Sequence, residues 1–144
     1  MRYLPFLIVA LLFSAVGCGR STAPVSGRVT LDNKPLANAT VIFTPDSTER
    51  NPGPGSRGKT DADGKFALDL LTGEGKGAIP GKHVVSITGY DGDDVVPSSG
   101  SDMKPFRKAI VPRRYNVLSE LHFEVPPGGS TKADFHLQSE PEAK

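Results

Sequence analysis

The chain has 144 residues, 17 Lys and Arg against 16 Asp and Glu, 37% hydrophobic residues, no Trp and a single Cys. That length allows one small domain. The near-balanced charge excludes a dedicated nucleic-acid binder, and one Cys excludes a disulfide scaffold or a thiolate metal site built within one chain. The averages hide a division. The first 18 positions hold 14 of the hydrophobic residues, and Gly, Pro and Ser make up 38 of the 126 that follow, a level at which low-complexity disorder becomes a reading to test.

The first segment is an address. Arg2 gives a short basic start, an apolar run covers 4–16, and the small residues of Ala15-Val16-Gly17-Cys18 close it, the arrangement of a secretory signal peptide over 1–17. Thirteen residues at 1.5 Å rise cover about 20 Å, short of the roughly 30 Å hydrocarbon core, so a membrane-spanning helix is disfavoured. The closing tetrapeptide resembles the lipobox of bacterial lipoproteins, with Gly17 before Cys18 and Ala15 where Leu is most frequent. The resemblance implies diacylglycerol on the Cys18 thiol, cleavage between Gly17 and Cys18, acylation of the new amino group, and a hold on a membrane that one acyl chain does not supply. The alternative is an incidental Cys beside a conventional cleavage site. Cleavage removes Arg2 and leaves 16 cations against 16 carboxylates, with no net charge to seek an anionic surface. Positions 18–23 then read as a lipid-anchored linker.

From Val25 onward, apolar residues recur at every second position between turn residues, the pattern of half-buried strands. Val25, Gly27, Val29 and Leu31 alternate with polar residues, Asp32-Asn33-Lys34-Pro35 makes a turn, and Ala39, Val41 and Phe43 resume the alternation, a strand, turn, strand unit. Positions 45–59 hold three Pro and three Gly and predict a long exposed loop. Strands follow at Phe66 to Leu70, Lys82 to Thr88, Ala109 to Val111, Leu121 to Val125 and Ala133 to Leu137, with loops at 72–77 and 89–105. The expectation is an all-β, seven-stranded antiparallel sandwich over 24–138 with a modest core and a flexible tail at 139–144. The Gly, Pro and Ser residues fall in its connections.

Val25-Ser26-Gly27-Arg28-Val29, followed by Lys34-Pro35-Leu36-Ala37-Asn38-Ala39-Thr40-Val41, resembles the opening of the carboxypeptidase regulatory-like domain, a transthyretin-like Greek-key sandwich. Thr60-Asp61-Ala62-Asp63-Gly64-Lys65-Phe66 is similar to its central hairpin, and Ile79-Pro80-Gly81-Lys82-His83-Val84-Val85 to the strand that follows. Val111-Pro112-Arg113-Arg114-Tyr115, with Phe123, Val125 and the 133–137 strand, resembles the C-terminal part of small bacterial lipoproteins of this kind. Physics agrees at several points: Gly27 lets a neighbouring backbone approach, Pro35 fixes a turn, and Gly64 suits positive φ. The resemblance implies an accessory, interaction or stability module without catalysis of its own.

The remaining chemistry is sparse. Asp61, Asp63 and Gly64 follow the opening of a calcium-binding loop only in part, since the Gly falls three residues after the first Asp and Thr72 stands where the closing Glu is needed; a hairpin turn explains them. His122 and His136 are expected opposite each other on the last hairpin, with Phe123 and Phe135 facing the core, and Cβ atoms about 5 Å apart in such a pair suit a shared ion. Two solvated His residues on an exposed face is the plainer reading, and a transthyretin-like hydrolase or a metal-dependent enzyme using them is the alternative function. The hydroxyisourate hydrolases of the transthyretin-like fold end in Tyr-Arg-Gly-Ser, whereas this chain ends Gln138-Ser139-Glu140-Pro141-Glu142-Ala143-Lys144. There is no Gly-x-Ser-x-Gly elbow, phosphate loop or dinucleotide fingerprint, so no nucleotide, cofactor or catalytic residue is assigned. Lys104, Arg107, Lys108, Arg113 and Arg114 form the one basic cluster. It is a candidate surface for anionic lipid, acidic polysaccharide or a partner protein, against the alternative of a charged strand edge that blocks aggregation. The functional expectation is a non-catalytic, lipid-anchored module of the cell envelope, facing periplasm or cell exterior, that meets a protein or glycan.

Overall fold

The computed structural model describes residues 21–48, 53–91 and 108–140. The expected all-β sandwich is what they form. Nine strands, β1 (Ser26–Leu31), β2 (Lys34–Pro35), β3 (Thr40–Pro45), β4 (Ser56–Lys59), β5 (Lys65–Ala67), β6 (Asp69–Leu70), β7 (Gly81–Thr88), β8 (Leu121–Val125) and β9 (Phe135–Leu137), are joined by loops and one 3-10 turn, Arg113–Tyr115. One sheet is built on β1, which pairs with β2, β5 and β9; the other has the order β6-β4-β3-β7-β8.

Period-two patterning places the core between the sheets. Val29, Val41, Phe43, Phe66, Val85, Ile87, Phe135 and Leu137 all turn inward and are buried. Phe135 lies at the centre, with its ring 6.1 Å from Phe43, 6.3 Å from Phe66 and 6.3 Å from Phe123. Phe43 and Phe123 belong to the other sheet, so these edge-to-face pairs tie the two layers together.

Four expectations need correction. The turn after β1 is a two-residue hairpin: Leu31 faces Lys34, and Asp32 and Asn33 both adopt positive φ, 52° and 65°, as a type I′ turn requires. The strand after it is only β2, and β3 lies in the opposite sheet. Residues 56–59, expected in a loop, form β4 and pair with both β3 and β6. The inward positions of β4 are Ser56 and Gly58, too small and polar to produce an apolar alternation. Residues 109–111 do not form a strand; Ala109 makes a single bridge to Tyr90, and Val111 plugs the core.

The fourth correction concerns the last two strands. They form no hairpin: β8 pairs with β7, while β9 runs parallel to β1, with Val29 opposite Phe135 and Leu31 opposite Leu137. The sandwich is therefore mixed. Phe123 and Phe135 meet across the core instead of within one sheet, and burial alternates along both strands in either arrangement, which is why periodicity could not separate them.

The topology gives the sandwich two distinct ends. The first described residues enter at one of them, where Ala23 and Ala78 exchange backbone hydrogen bonds of 2.8 and 2.9 Å and Ser130 N–H donates to Pro24 O at 2.8 Å. β1 leads away from this end to the Asp32-Asn33 turn, and β7, eight residues long, runs about 26 Å in the same general sense at 3.3 Å per residue.

Candidate functional site

The far end of the sandwich is built on the segment from Lys108 to Glu120. Ile110 N–H donates to Gly89 O (3.0 Å), and the 3-10 turn closes with Tyr115 N–H on Pro112 O (3.0 Å) and Asn116 N–H on Arg113 O (3.2 Å). Side chains then fasten the turn to β7: Ser86 Oγ donates to Asn116 O at 3.3 Å, Ser119 Oγ donates to Val85 O, and Asn116 Nδ2 reaches Val111 O at 3.3 Å. With both flanks fixed, Val117 and Leu118 are held outward, 75% and 64% exposed, and Tyr90 from the end of β7 is 49% exposed.

The expected basic cluster divides here. Lys104 and Arg107 lie outside the described residues, as do Gly17 and Cys18. Arg114 is structural: its guanidinium sits 4.9 Å over the Tyr115 ring, and Nη2 donates to Gln138 O at 2.8 Å, while Gln138 N–H donates to the Tyr115 hydroxyl at 3.3 Å. Lys108 and Arg113 remain exposed. Arg113, whose carbonyl accepts from Leu118 N–H at 3.0 Å, sets charge next to the apolar pair. The charges are legible in the sequence; the apolar pair Val117-Leu118 is not, because its exposure is set by the contacts that fix both flanks.

The His pair is not assembled. His122 is on β8 and His136 on β9, in different sheets. His136 Nδ1 is hydrogen-bonded to Thr30 Oγ1 at 2.9 Å, and His122 Nδ1 donates to Glu120 O at 3.0 Å. His83 is buried against Phe43, ring centres 5.7 Å apart, with Nδ1 donating to Gly81 O at 3.0 Å. Among the described residues no three His, Cys, Asp or Glu side chains cluster as metal ligands. The Asp61 segment is the expected hairpin turn: Asp61 Oδ1 accepts from Asp63 N–H (2.9 Å) and Lys65 N–H (2.8 Å), Gly64 N–H donates to Asp61 O (2.9 Å), and Gly64 takes φ 73°.

A groove of about 990 Å³ opens on one flank, where the chain passes from β5 in one sheet to β6 in the other. Arg57 and Lys59 project from β4, Lys76 from the loop after β6, and Asp69 and Leu71 complete the walls. In the sequence expectation Arg57 and Lys59 fall in the 45–59 loop, Asp69 in the Phe66 to Leu70 strand and Lys76 in the 72–77 loop, so nothing local brings them together. The signal lay in Ser56, Gly58 and Thr60, an alternation of small residues with Arg57 and Lys59 between them.

Comparison with protein-family models, curated proteins and solved structures finds no match to this chain.

Proposed function

We propose that the chain is a lipid-anchored β-sandwich module of the cell envelope, held to a membrane through Cys18 and meeting an envelope protein or glycan, without catalysis of its own. The two-ended layout carries this reading. Residues 21–25 enter at one end, and the exposed Lys108, Arg113, Val117, Leu118 and Tyr90 belong to the segments that close the other. Apolar side chains beside exposed charge are the composition of a protein contact, in which the apolar residues supply affinity and the charges guide approach. The order of the sequence motifs and the all-β sandwich support membership of the transthyretin-like, carboxypeptidase regulatory-like group.

Two measurements test the reading. In cells grown with labelled palmitate, the full chain is expected to carry label and Cys18→Ala none; label on Cys18→Ala refutes lipidation there. Cross-linking on intact cells is expected to capture a partner that Arg113→Glu with Leu118→Ser loses, and an unchanged set of partners refutes the far-end contact.

A further inference from the structure

The groove on the flank is separate from the far end and does not depend on Cys18. Its walls combine four chemistries. Arg57 and Lys76 are exposed cations, and among the described residues neither takes part in an ion pair. Lys59 also faces the groove but has an interaction of its own, so Arg57 and Lys76 are the cations offered to a ligand. Asp69, directly across the β4 and β6 pairing from Arg57, adds a carboxylate acceptor. Thr40 contributes a hydroxyl, and Leu71, 52% exposed, an apolar rim. Glu74, on the same loop as Lys76, is not part of the wall.

We propose that this groove binds an acidic carbohydrate, a saccharide chain bearing carboxylates of the uronic-acid type. Arg57 offers the planar fork that matches a carboxylate with two parallel hydrogen bonds, and Lys76 reaches a second carboxylate as a point charge. A concave site lined by cations concentrates such an anion. The carboxylate of Asp69 repels a densely charged phosphate polymer, whose binding needs many cations in series. It accepts hydrogen bonds from hydroxyl groups, which a sugar supplies and an acidic peptide of Asp and Glu does not. Leu71 is placed to cover the C–H face of a sugar ring.

The test is titration calorimetry of the full chain in detergent with short oligogalacturonates. Neutral dextran oligomers, poly-glutamate and dextran sulfate serve as comparison probes. The expected result is saturable oligogalacturonate binding that weakens tenfold or more in the double variant Arg57→Gln, Lys76→Gln and is unchanged in Lys82→Gln, Lys132→Gln, two exposed cations outside the groove. Asp69→Ala is expected to weaken oligogalacturonate and strengthen dextran sulfate. No binding, or equal loss in both double variants, overturns the proposal. So does tighter binding of poly-glutamate, which assigns the groove to an acidic peptide, or of dextran sulfate to the unaltered chain, which reduces it to charge alone. Because all of these surface variants retain Cys18, palmitate labelling stays intact whichever way the titration falls.

Discussion

At the scale of single residues, close approach and local hydrogen bonds decide what is tolerated. A Cβ on Gly27 would lie 2.0 Å from Ala133 O, a backbone atom held by its own strand-like register against β1, since Ala133 N–H donates to Ser26 O at 3.2 Å. Gly27→Ala must therefore push two backbones apart, and we expect it to lower the unfolding free energy in urea by about 3 kcal/mol, the upper part of the overpacking range. An unchanged urea midpoint would contradict that packing. Asp32 shows a smaller, pH-dependent effect. Its Oδ1 accepts from Ser139 N–H at 3.0 Å, and this hydrogen bond, with help from Lys34, holds the carboxyl below its ordinary 3.8. A depressed carboxyl stabilises the fold above its unfolded pKa and loses that contribution as pH falls through the folded value. Between pH 5 and pH 2.5 the urea midpoint of the natural chain should fall more than that of Asp32→Asn, and identical falls would show that the contact has no weight.

At the scale of elements, the joins between strands carry more information than the strands themselves. The start of β3 and the end of β4 are stitched by Thr60, which is buried: Thr60 Oγ1 accepts Ala39 N–H at 2.8 Å, and Thr60 N–H donates to Ala39 O at 2.9 Å. Thr60→Val keeps the shape and leaves the Ala39 N–H without its side-chain acceptor. A buried donor stripped of its acceptor costs about 1–3 kcal/mol, so thermal unfolding of Thr60→Val should be clearly lowered, whereas Thr60→Ser, which keeps the hydroxyl, should recover most of the loss. A Thr60→Val that melts no lower than Thr60→Ser would show that the hydroxyl carries no weight of its own. β4 itself illustrates how an element escapes period-two reading. Its inner face is Ser56, Gly58 and, just beyond, Thr60, because Ala67 O and Leu68 approach closely at Gly58; small residues are required there, so no apolar alternation is written into the sequence.

At the scale of the whole molecule, two sheets share one thin core, and Phe135 is where they join. It touches Phe43 and Phe123 from one sheet and Phe66 from its own. Truncating a buried Phe to Ala costs about 3–5 kcal/mol, a large part of the roughly 5–15 kcal/mol that holds a domain of this size. Phe135→Ala is expected to unfold the chain near 37 °C or to shift its melting temperature by more than 10 °C, read by circular dichroism. A small shift would mean that the layers are held elsewhere. The same architecture separates the two proposed surfaces: the end beyond β7 for a partner, the flank between β4 and β6 for an acidic saccharide.

Alternation of apolar residues from Val25 to Leu137 was enough to determine an all-β chain with a core between two layers, and Asp32-Asn33 and Gly64 marked two of its turns, because side-chain period and positive φ are local properties. Which strands pair is not local. Whether β9 joins β8 or runs beside β1 depends on contacts between residues over 100 positions apart, such as Val29 and Phe135, and both choices bury the same side chains. That choice separated His122 from His136, while the β4–β6 pairing set Arg57 opposite Asp69 beside one groove, and hydrogen bonds to Ser86 and Val85 fixed the segment that holds Val117 and Leu118 outward. The surfaces on which function is proposed are therefore products of tertiary pairing, while the material of the core was legible residue by residue.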